Sequence, residues 1–288
     1  MVLINSKGGI KVKKLVPDFF AMKEKKEKIT MLTAYDYPSA RWAEEAGVDM
    51  ILVGDSLGNV VLGYDSTVPV TMEDMIHHTK AVRRGAPETF VVTDMPFMTY
   101  ATVEDALRNG ARIIQEGGAD AVKLEGGEHF APIVEALVNS GIPVVGHLGL
   151  TPQTTTQLGG FKVQGKDLES ARRLLRDAEA LDRAGIFALT LEAIPLEVAK
   201  TISEKISAPT IGIGAGSYCD GQVLVFHDML GIFDRFKPKF VKVYADLKSH
   251  GIEGIRNYVK EVKEGTFPDN TQHTYAASED LQGKLYGD

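Results

Sequence analysis

Cysteine is almost absent from this sequence, since Cys219 is the only one among 288 residues. A lone cysteine cannot form an intramolecular disulfide, and proteins that keep their thiols reduced are typical of the cytoplasm. We therefore expect a cytoplasmic protein in which Cys219 is a buried, inert thiol rather than a nucleophile.

An excess of basic residues and long apolar runs are also missing. Lys and Arg number 32 against 39 Asp and Glu, which gives a formal net charge of -7 and a pI near 5.6. Nucleic-acid binders usually carry a basic excess. No apolar stretch approaches the roughly 18 residues that span a bilayer, and the N-terminus lacks the apolar core of a signal peptide. We expect no nucleic-acid partner, no membrane association and no export.

The sequence does contain a regular alternation of short apolar segments with amphipathic ones. Eight segments have the composition and length of strands. They lie at 29–34, 50–54, 90–94, within 120–127, and at 142–147, 187–192, 210–213 and 223–226. Eight strands that alternate with helices over roughly 200 residues favour an α/β fold, a (β/α)8 TIM barrel. An open, doubly wound sheet is the alternative.

Helical patterns fill the intervals between these strands. They are predicted at 39–46, from Thr71, at 103–116, 130–139 and 168–184, after Pro195, and at 238–262. We expect one domain, with an N-terminal helical extension at 1–28, the barrel at 29–245, and a C-terminal helix and polar tail at 246–288. The Thr- and Gly-rich loop 149–165 is long for a compact domain, so we predict that it is an active-site lid.

Acidic residues end four of the predicted strands. They are Asp55, Asp94, Glu125 and Glu192. A fifth strand ends on His147, and Lys123 precedes Glu125 by two positions, so that both side chains point to the same face of their strand. One such acid would be explained by helix capping or a solvated turn. Four of them indicate a functional site at the carboxyl ends of the strands, where barrel enzymes place their catalytic groups.

Oxygen ligands from carboxylates are what Mg²⁺ prefers, and it usually keeps positions for water or substrate. Asp55, Asp94 and Glu125 provide such a set, with Mn²⁺ or Co²⁺ as substitutes, whereas the single His147 does not make a zinc site. A divalent ion of this kind chelates a 2-oxo acid and stabilises the charge that develops on enolisation. Lys123 and Ser56 would hold the acid's carboxylate.

Glu192 would then be the base that takes the α-proton or manages the proton of the incoming group. An acid-rich barrel mouth with ordinary surface pairs is the alternative. Two other features carry less weight. The glycines of 211–216 would form either a phosphate-binding nest or a close backbone turn. They do not match a dinucleotide-binding motif. His77 and His78 are adjacent in a helix and point in different directions, so we expect neither to be a metal ligand.

Several segments closely resemble the ketopantoate hydroxymethyltransferase family, in unbroken order from about 29 to 245. They are Thr33-Ala34-Tyr35-Asp36, Val53-Gly54-Asp55-Ser56-Leu57-Gly58, Asp94-Met95-Pro96-Phe97-Met98, Ala121 to Gly127, Gly146-His147-Leu148-Gly149-Leu150-Thr151-Pro152-Gln153, and Ile211 to Gly216 with Asp220-Gly221-Gln222. The resemblance implies the first committed step of pantothenate synthesis. In that step a hydroxymethyl group passes from 5,10-methylenetetrahydrofolate to 3-methyl-2-oxobutanoate, through a magnesium-stabilised enolate, to give 2-dehydropantoate.

The resemblance also implies a (β/α)8 barrel, one Mg²⁺ per subunit, a cytoplasmic setting and a homo-oligomer, commonly a decamer. Carried over by motif, the roles are Asp55, Asp94 and Glu125 at the metal, Asp55, Ser56, Asp94 and Lys123 at the oxo acid, Glu192 as the proton acceptor, and His147 behind the ligands or on the substrate side. The chain departs from the family pattern at Ala193-Ile194, where Cys-Val is more usual, and at Ser217-Tyr218, where Pro-His is frequent. The second departure touches the rim near the folate side.

Two other functions compete with this interpretation. A metal-dependent oxo-acid lyase or phosphonomutase relative would share the metal and oxo-acid site but would not need folate. A non-catalytic protein that binds an oxo acid or a metal would bind its ligand without exchange of substrate protons, and it would leave Glu192 without a role.

Overall fold

Eight parallel strands form a closed barrel in which each strand pairs with its neighbours in chain order, and β8 pairs with β1. The structure is a computed structural model that describes residues 13–277. The strands are β1 Ile29–Thr33, β2 Met50–Val53, β3 Phe90–Asp94, β4 Ala121–Glu125, β5 Val144–Gly149, β6 Ala188–Glu192, β7 Thr210–Ile213 and β8 Gly221–Leu224. The predicted (β/α)8 barrel is confirmed, and the open sheet is not found.

Helix α1, Val16–Glu24, precedes β1, and the other helices come after strands along the chain. They are α2 Tyr37–Ala46, α3 Leu57–Val60, α4 Met72–Gly85, α5 Val103–Arg112, α6 Ala131–Asn139, α7 Thr155–Leu158, α8 Leu168–Arg183, α9 Leu196–Lys205, α10 Phe226–Met229 and α11 Leu247–Glu264. Helix α5 continues as a π-helical turn, Ile113–Gly117, which accounts for the predicted helix 103–116. Within residues 13–277, no helix is long and apolar enough to span a bilayer.

Local sequence signals set where several of these helices begin. Asp36 accepts a hydrogen bond from the backbone of Ser39 at the start of α2, and Thr71 accepts one from the backbone of Asp74 at the start of α4. Such caps satisfy backbone N–H groups that have no partner within the helix. Gly47 ends α2 with a φ of +84°, a conformation that favours glycine. The predicted start of α4 at the Thr71 cap is therefore confirmed.

Side-chain alternation separates the barrel interior into an apolar floor and a polar mouth. Along β4, Ala121, Lys123 and Glu125 share one face, and along β3, Phe90, Val92 and Asp94 do. The first residues of these faces belong to an apolar cluster of inward-pointing side chains. The charged residues come last, at the carboxyl ends of the strands. The side-chain alternation that points apolar residues into the barrel core therefore also points the charged residues at the strand ends into the mouth.

Helix α1 closes the floor of the barrel. Phe19 is fully buried, and its ring centroid lies 5.2 Å from that of Phe90 and 6.0 Å from that of Phe187. Lys23 donates to three backbone carbonyls, those of Ser203, Ile206 and Ala208, at 2.9–3.0 Å. The N-terminal extension is therefore part of the packed molecule from Val16 onward. Its first 12 residues and residues 278–288 of the predicted tail lie outside the described residues.

Three predicted segments have wrong boundaries. Strand β5 runs from Val144 to Gly149, two residues later than predicted, so His147 lies within the strand and not at its end. Strand β8 begins at Gly221 and ends at Leu224, and Phe226 starts a short helix, because the backbone N–H of Phe226 donates to the Thr33 hydroxyl instead of a strand partner. The helix predicted at 238–262 begins only at Leu247. The backbone before it bonds to the last residue of α10, with the Tyr244 N–H donating to the Met229 carbonyl at 2.7 Å.

Candidate active site

Three buried acids and a buried lysine form the centre of the barrel mouth. Asp55 follows β2, Asp94 ends β3, and Lys123 and Glu125 belong to β4. The Lys123 ammonium donates to Asp94 Oδ1 at 2.5 Å, and the backbone N–H of Asp55 donates to Asp94 Oδ2 at 3.0 Å. Asp94 and Lys123 are direct partners in the β3–β4 register. The sheet thereby joins the site residues of adjacent strands.

The carboxyl groups of this cluster carry more negative charge than the Lys123 ammonium can balance. Burial raises the pKa of Asp55 well above its ordinary value, and the charges of Asp94 and Glu125 raise it further. Burial disfavours the charged form of Lys123, but the same carboxylates outweigh burial and raise its pKa. One ammonium thus faces three carboxyl groups. The arrangement favours a second cation, because like charges in a buried site raise each other's pKa.

Gln153 connects the acids to the loop 149–165. Its side-chain amide donates to Asp55 Oδ2 at 2.8 Å and to the Met95 carbonyl at 3.0 Å, while its backbone N–H donates to Glu125 Oε2 at 3.1 Å. The Tyr100 hydroxyl donates to Gln153 Oε1 at 2.6 Å. Every polar atom of this buried amide side chain is therefore used. Gln153 fixes two carboxylates relative to each other and to the loop.

His147 lies between Glu125 and Glu192. Its Nδ1 is 3.3 Å from Glu125 Oε1, and its Nε2 is 3.1 Å from Glu192 Oε2, although neither contact has the alignment of a hydrogen bond. Burial and the charge of Lys123 disfavour the imidazolium, but the two carboxylates outweigh them and raise the pKa of His147 to about 9. The three residues occupy consecutive strands β4, β5 and β6. The imidazole thus lies between Glu192 and the acid cluster.

Ser56 occupies the β1 side of the mouth. Its hydroxyl is 2.8 Å from the hydroxyl of Tyr35, which follows β1. A Cβ atom on Gly54 would lie 2.8 Å from Ser56 Oγ and 3.4 Å from Asp94 Oδ2, so only glycine fits at the end of β2 without displacing the site. Ser56 contacts neither Lys123 nor the acids through a described hydrogen bond. It adjoins the cluster through its chain neighbour Asp55.

The donor set fits Mg²⁺ only in its usual, partly hydrated form. Among residues 13–277, no three His, Cys, Asp or Glu side chains are close enough to form a ready-made metal cluster. Mg²⁺ commonly binds through one or two carboxylates and keeps several waters. Asp55, Asp94 and Glu125 supply all-oxygen donors of that kind, and the raised pKa of Asp55 indicates unbalanced negative charge. The chemistry of these residues therefore suits a hard divalent cation.

The other features singled out in the sequence have structural explanations. A Cβ atom on Gly214 would lie 2.6 Å from the Phe240 ring, and one on Gly216 would lie 2.2 Å from Leu196. These close approaches explain the glycines after β7 as a packed turn. Cys219 is fully buried, and burial raises the pKa of its thiol, as expected for an inert cysteine. His78 Nδ1 bonds to the backbone carbonyl of Tyr35 at 2.5 Å.

Sequence reasoning missed two residues of the site, Gln153 and Tyr100. Gln153 lies inside a segment that carries the family resemblance, but an amide has no chemistry that would single it out from Thr151 or Pro152. Tyr100 follows β3 by six positions and has no distinguishing pattern around it. Its hydroxyl lies 3.3 Å from the backbone N–H of Glu125. Only the folded structure shows that the two side chains meet between three strand ends.

Known proteins of one family are similar to this chain over most of its length. The family model described as ketopantoate hydroxymethyltransferase matches residues 13–270. A curated protein of Thermoanaerobacter sp. strain X514, named 3-methyl-2-oxobutanoate hydroxymethyltransferase, is 62% identical over 254 residues, which cover 88% of this chain and 92% of the relative. A protein of Desulfotalea psychrophila with the same name is 56% identical over 278 residues, 96% of this chain and 99% of the relative.

Solved structures at lower identity share the fold. Phosphonopyruvate hydrolase, crystallised in complex with oxalate and Mg²⁺, has a TM-score of 0.58 at 11% identity and covers 94% of this chain and 95% of its own. A 2,3-dimethylmalate lyase of the PEP mutase/isocitrate lyase superfamily has a TM-score of 0.56 at 17% identity, with 94% and 93% coverage. At such identities the similarity shows the barrel fold alone.

Proposed function

The chain belongs to the ketopantoate hydroxymethyltransferase family, and from that premise we propose how its barrel mouth performs the family's reaction. The activity is transfer of a hydroxymethyl group to 3-methyl-2-oxobutanoate in pantothenate synthesis. The observation that carries the site assignment is a single network. Asp94 bonds to Lys123 and to the backbone of Asp55, and Gln153 joins Asp55 to Glu125. His147 lies between Glu125 and Glu192.

The one-carbon donor in this proposal is 5,10-methylenetetrahydrofolate. Removal of the C3 proton of the oxo acid gives a carbon nucleophile, which forms a bond to the methylene carbon of the donor. The bonds from that carbon to the folate nitrogens break, water supplies the hydroxyl oxygen, and the products are 2-dehydropantoate and tetrahydrofolate. Carbon, oxygen and protons balance without an external oxidant or reductant. Support for this donor comes from the family to which the chain belongs.

Asp55, Asp94 and Glu125 would hold one Mg²⁺ per subunit, directly or through water. When bound, the ion would supply Lewis-acid stabilisation of the negative charge that develops on the keto oxygen during proton removal. Lys123 keeps its positive charge because the surrounding carboxylates raise its pKa. It is therefore available, with Ser56, to bind the carboxylate of the oxo acid. Asp55 and Asp94 complete the proposed oxo-acid site.

Glu192 is the proposed base for the C3 proton. Its side chain is 15% exposed, so it faces the mouth instead of being sealed in the core as His147 is. His147 Nε2 lies 3.1 Å from Glu192 Oε2 and its Nδ1 lies 3.3 Å from Glu125 Oε1, so the imidazole links Glu192 to the acid cluster. A general base needs this combination of reach and an available lone pair. Loop 149–165, tied to the acids by Gln153, would cover the site during the reaction.

Proton NMR of 3-methyl-2-oxobutanoate in D₂O tests the proposal. We expect the wild-type protein with Mg²⁺ to exchange the C3 proton, and added methylenetetrahydrofolate to yield 2-dehydropantoate. Glu192→Gln should lose exchange by about 10²-fold or more, whereas Glu197→Gln, an acid in the exposed first turn of α9, should retain it. Exchange without product would favour the lyase-type alternative. Binding without exchange would favour the non-catalytic one.

We also propose that the protein is a cytoplasmic homo-oligomer, and the expected assembly is a decamer. Helix α11 has no buried residue, yet one side of it carries the exposed apolar side chains Ile255, Tyr258, Val259 and Val262. An amphipathic helix usually buries its apolar stripe, and a second copy of the chain would cover this one. Ile255→Lys should reduce the mass measured by light scattering. An unchanged mass would contradict this use of α11.

A further inference from the structure

A large cavity adjoins the acid cluster on the side of β3, β4 and β5. Its volume is about 730 Å³, and Glu125 and Gln153 belong to both the cavity and the acid cluster. Pockets for small molecules commonly measure about 300–1,000 Å³. A five-carbon oxo acid fills only a small part of such a space. The cavity therefore has room for a second, larger ligand whose reacting atom meets the oxo acid at Glu125.

Aromatic and apolar side chains form the walls near the acids. The rings of Tyr100 and Phe130 pack edge to face with centroids 5.4 Å apart, and both line the cavity. Met98 is 63% exposed and also lines the cavity. A Cβ atom on Gly126 would lie 2.2 Å from the Phe130 ring. Because Gly126 has no side chain, there is room for this ring beside the end of β4.

The side chain of Asp177 lines another wall of the cavity. Asp177 on α8 accepts one hydrogen bond, from the backbone N–H of Glu128 to Oδ1 at 2.9 Å. A Cβ atom on Gly127 would lie 2.3 Å from the Asp177 carboxyl carbon, so the glycine admits the carboxylate at the cavity wall. Within residues 13–277, no ion pair of Asp177 is found, and Arg173, one turn earlier on the same helix, also lines the cavity.

We propose that this cavity binds the pterin ring of the folate co-substrate. The ring is flat and suits the aromatic wall of Tyr100 and Phe130. Its amino group and adjacent ring N–H form a pair of donors that Asp177 accepts side by side, the geometry in which carboxylates bind such pairs most strongly. In this orientation the methylene carbon points to Glu125 and the oxo acid. Arg173 would then bind a carboxylate of the glutamate tail of the folate.

The proposal rests on the folate dependence set out above, so its test separates the two. Asp177→Asn keeps the acceptor for Glu128 and removes the charge. It should raise the KM for methylenetetrahydrofolate at least about tenfold and leave the KM for the oxo acid unchanged. It should also leave the metal-dependent C3 proton exchange, measured without folate, at the wild-type rate. Glu169→Gln, an exposed acid in the first turn of α8, is the matched control and should change neither KM.

Fragments of the co-substrate identify which part of it the cavity holds. By calorimetry, 6-methyltetrahydropterin should bind wild type and lose about tenfold or more in affinity with Asp177→Asn, whereas p-aminobenzoylglutamate should be unaffected. If Asp177→Asn instead weakened the binding of p-aminobenzoylglutamate alone, the glutamate tail would lie at Asp177, and the proposed orientation would be wrong. Unchanged folate kinetics in Asp177→Asn, with normal proton exchange, would overturn the proposed site. Absence of exchange in wild type would instead reject the proposed function.

Discussion

Gln153 and Asp55 are joined by a hydrogen bond of 2.8 Å between Nε2 and Oδ2, although 98 positions separate them in the chain. Through this bond the loop after β5 holds the acid that follows β2. The same side chain accepts from Tyr100, and the backbone of Gln153 donates to Glu125. The geometry of the proposed metal site therefore depends on an uncharged amide that contributes no chemistry of its own.

Replacement of Gln153 by Glu should impair the site more than replacement by Ala. The glutamate would remove the donor to Asp55 and add a fourth carboxyl group to a buried anionic cluster. We expect the KM for the oxo acid to rise by about tenfold in Gln153→Ala and by more in Gln153→Glu. Steady-state kinetics with saturating folate measures both. Gln115→Ala, at an exposed amide in the π-helical turn after α5, is the control. Equal effects of Ala and Glu at position 153 would contradict the electrostatic argument.

Replacement of Lys123 by Met should make folding stability depend more strongly on Mg²⁺ than it does in the wild type. The variant leaves Asp55, Asp94 and Glu125 without their buried cation, and loss of one partner of a buried pair costs about 3–5 kcal/mol. A bound divalent ion stabilises the folded state by mass action. Urea unfolding in EDTA should therefore show the full loss, and millimolar Mg²⁺ should restore part of it. Lys200→Met, at an exposed ion pair, should change stability by less than about 0.5 kcal/mol.

An equal loss for Lys123→Met in EDTA and in Mg²⁺ would show that Mg²⁺ does not compensate for the missing ammonium, and it would contradict the electrostatic argument for a second cation at these carboxylates. The comparison uses unfolding alone, so it does not depend on whether the variant retains activity.

Truncation of Phe19 should affect stability without affecting turnover. Phe19→Ala leaves a cavity at the barrel floor against Phe90 and Phe187, and such truncations cost about 3–5 kcal/mol. The reacting groups lie at the opposite end of the strands, so kcat at a temperature where the variant is folded should match wild type. Urea unfolding and steady-state kinetics check the two parts. Phe236→Ala, at a side chain that is 64% exposed, should leave stability nearly unchanged.

Asp228 should make the protein less stable as the pH rises through about 6. Burial raises the pKa of this carboxyl group to about 6 in the folded state, against about 3.9 in an unfolded chain. The folded state therefore holds the proton more tightly, and this contribution is fully present below about pH 4 and lost as the pH rises through about 6.

The matching variant is Asp228→Asn, which cannot ionise. After a discount for the solvent that still reaches the carboxyl group, we expect the stability of the variant relative to wild type to be about 1 kcal/mol higher at pH 7.5 than at pH 4. Urea unfolding at both pH values measures this change. A difference between variant and wild type that stays constant with pH would contradict the raised pKa of Asp228.

The sequence by itself determined the barrel and most of the acid cluster. Alternation along each strand places every second residue on one face, and parallel strands in a barrel end at the same rim. Asp94, Lys123, Glu125 and His147 could therefore be assigned to one mouth before any contact was known. The ends of β8 and the start of α11 were misjudged, because Gly221 has a low strand propensity and the backbone before Leu247 is held by contacts that are distant in sequence.

Only the tertiary structure decided how the acids are held and what lies beside them. Gln153 and Tyr100 meet the cluster because three loops converge, and no periodicity along the chain encodes that meeting. The placement of His147 between Glu125 and Glu192 depends on the register of β4, β5 and β6. The cavity at Asp177 exists because Gly126 and Gly127 lack side chains where α8 crosses the end of β4. Local patterns thus fix which residues reach the mouth, and packing between distant segments fixes their partners.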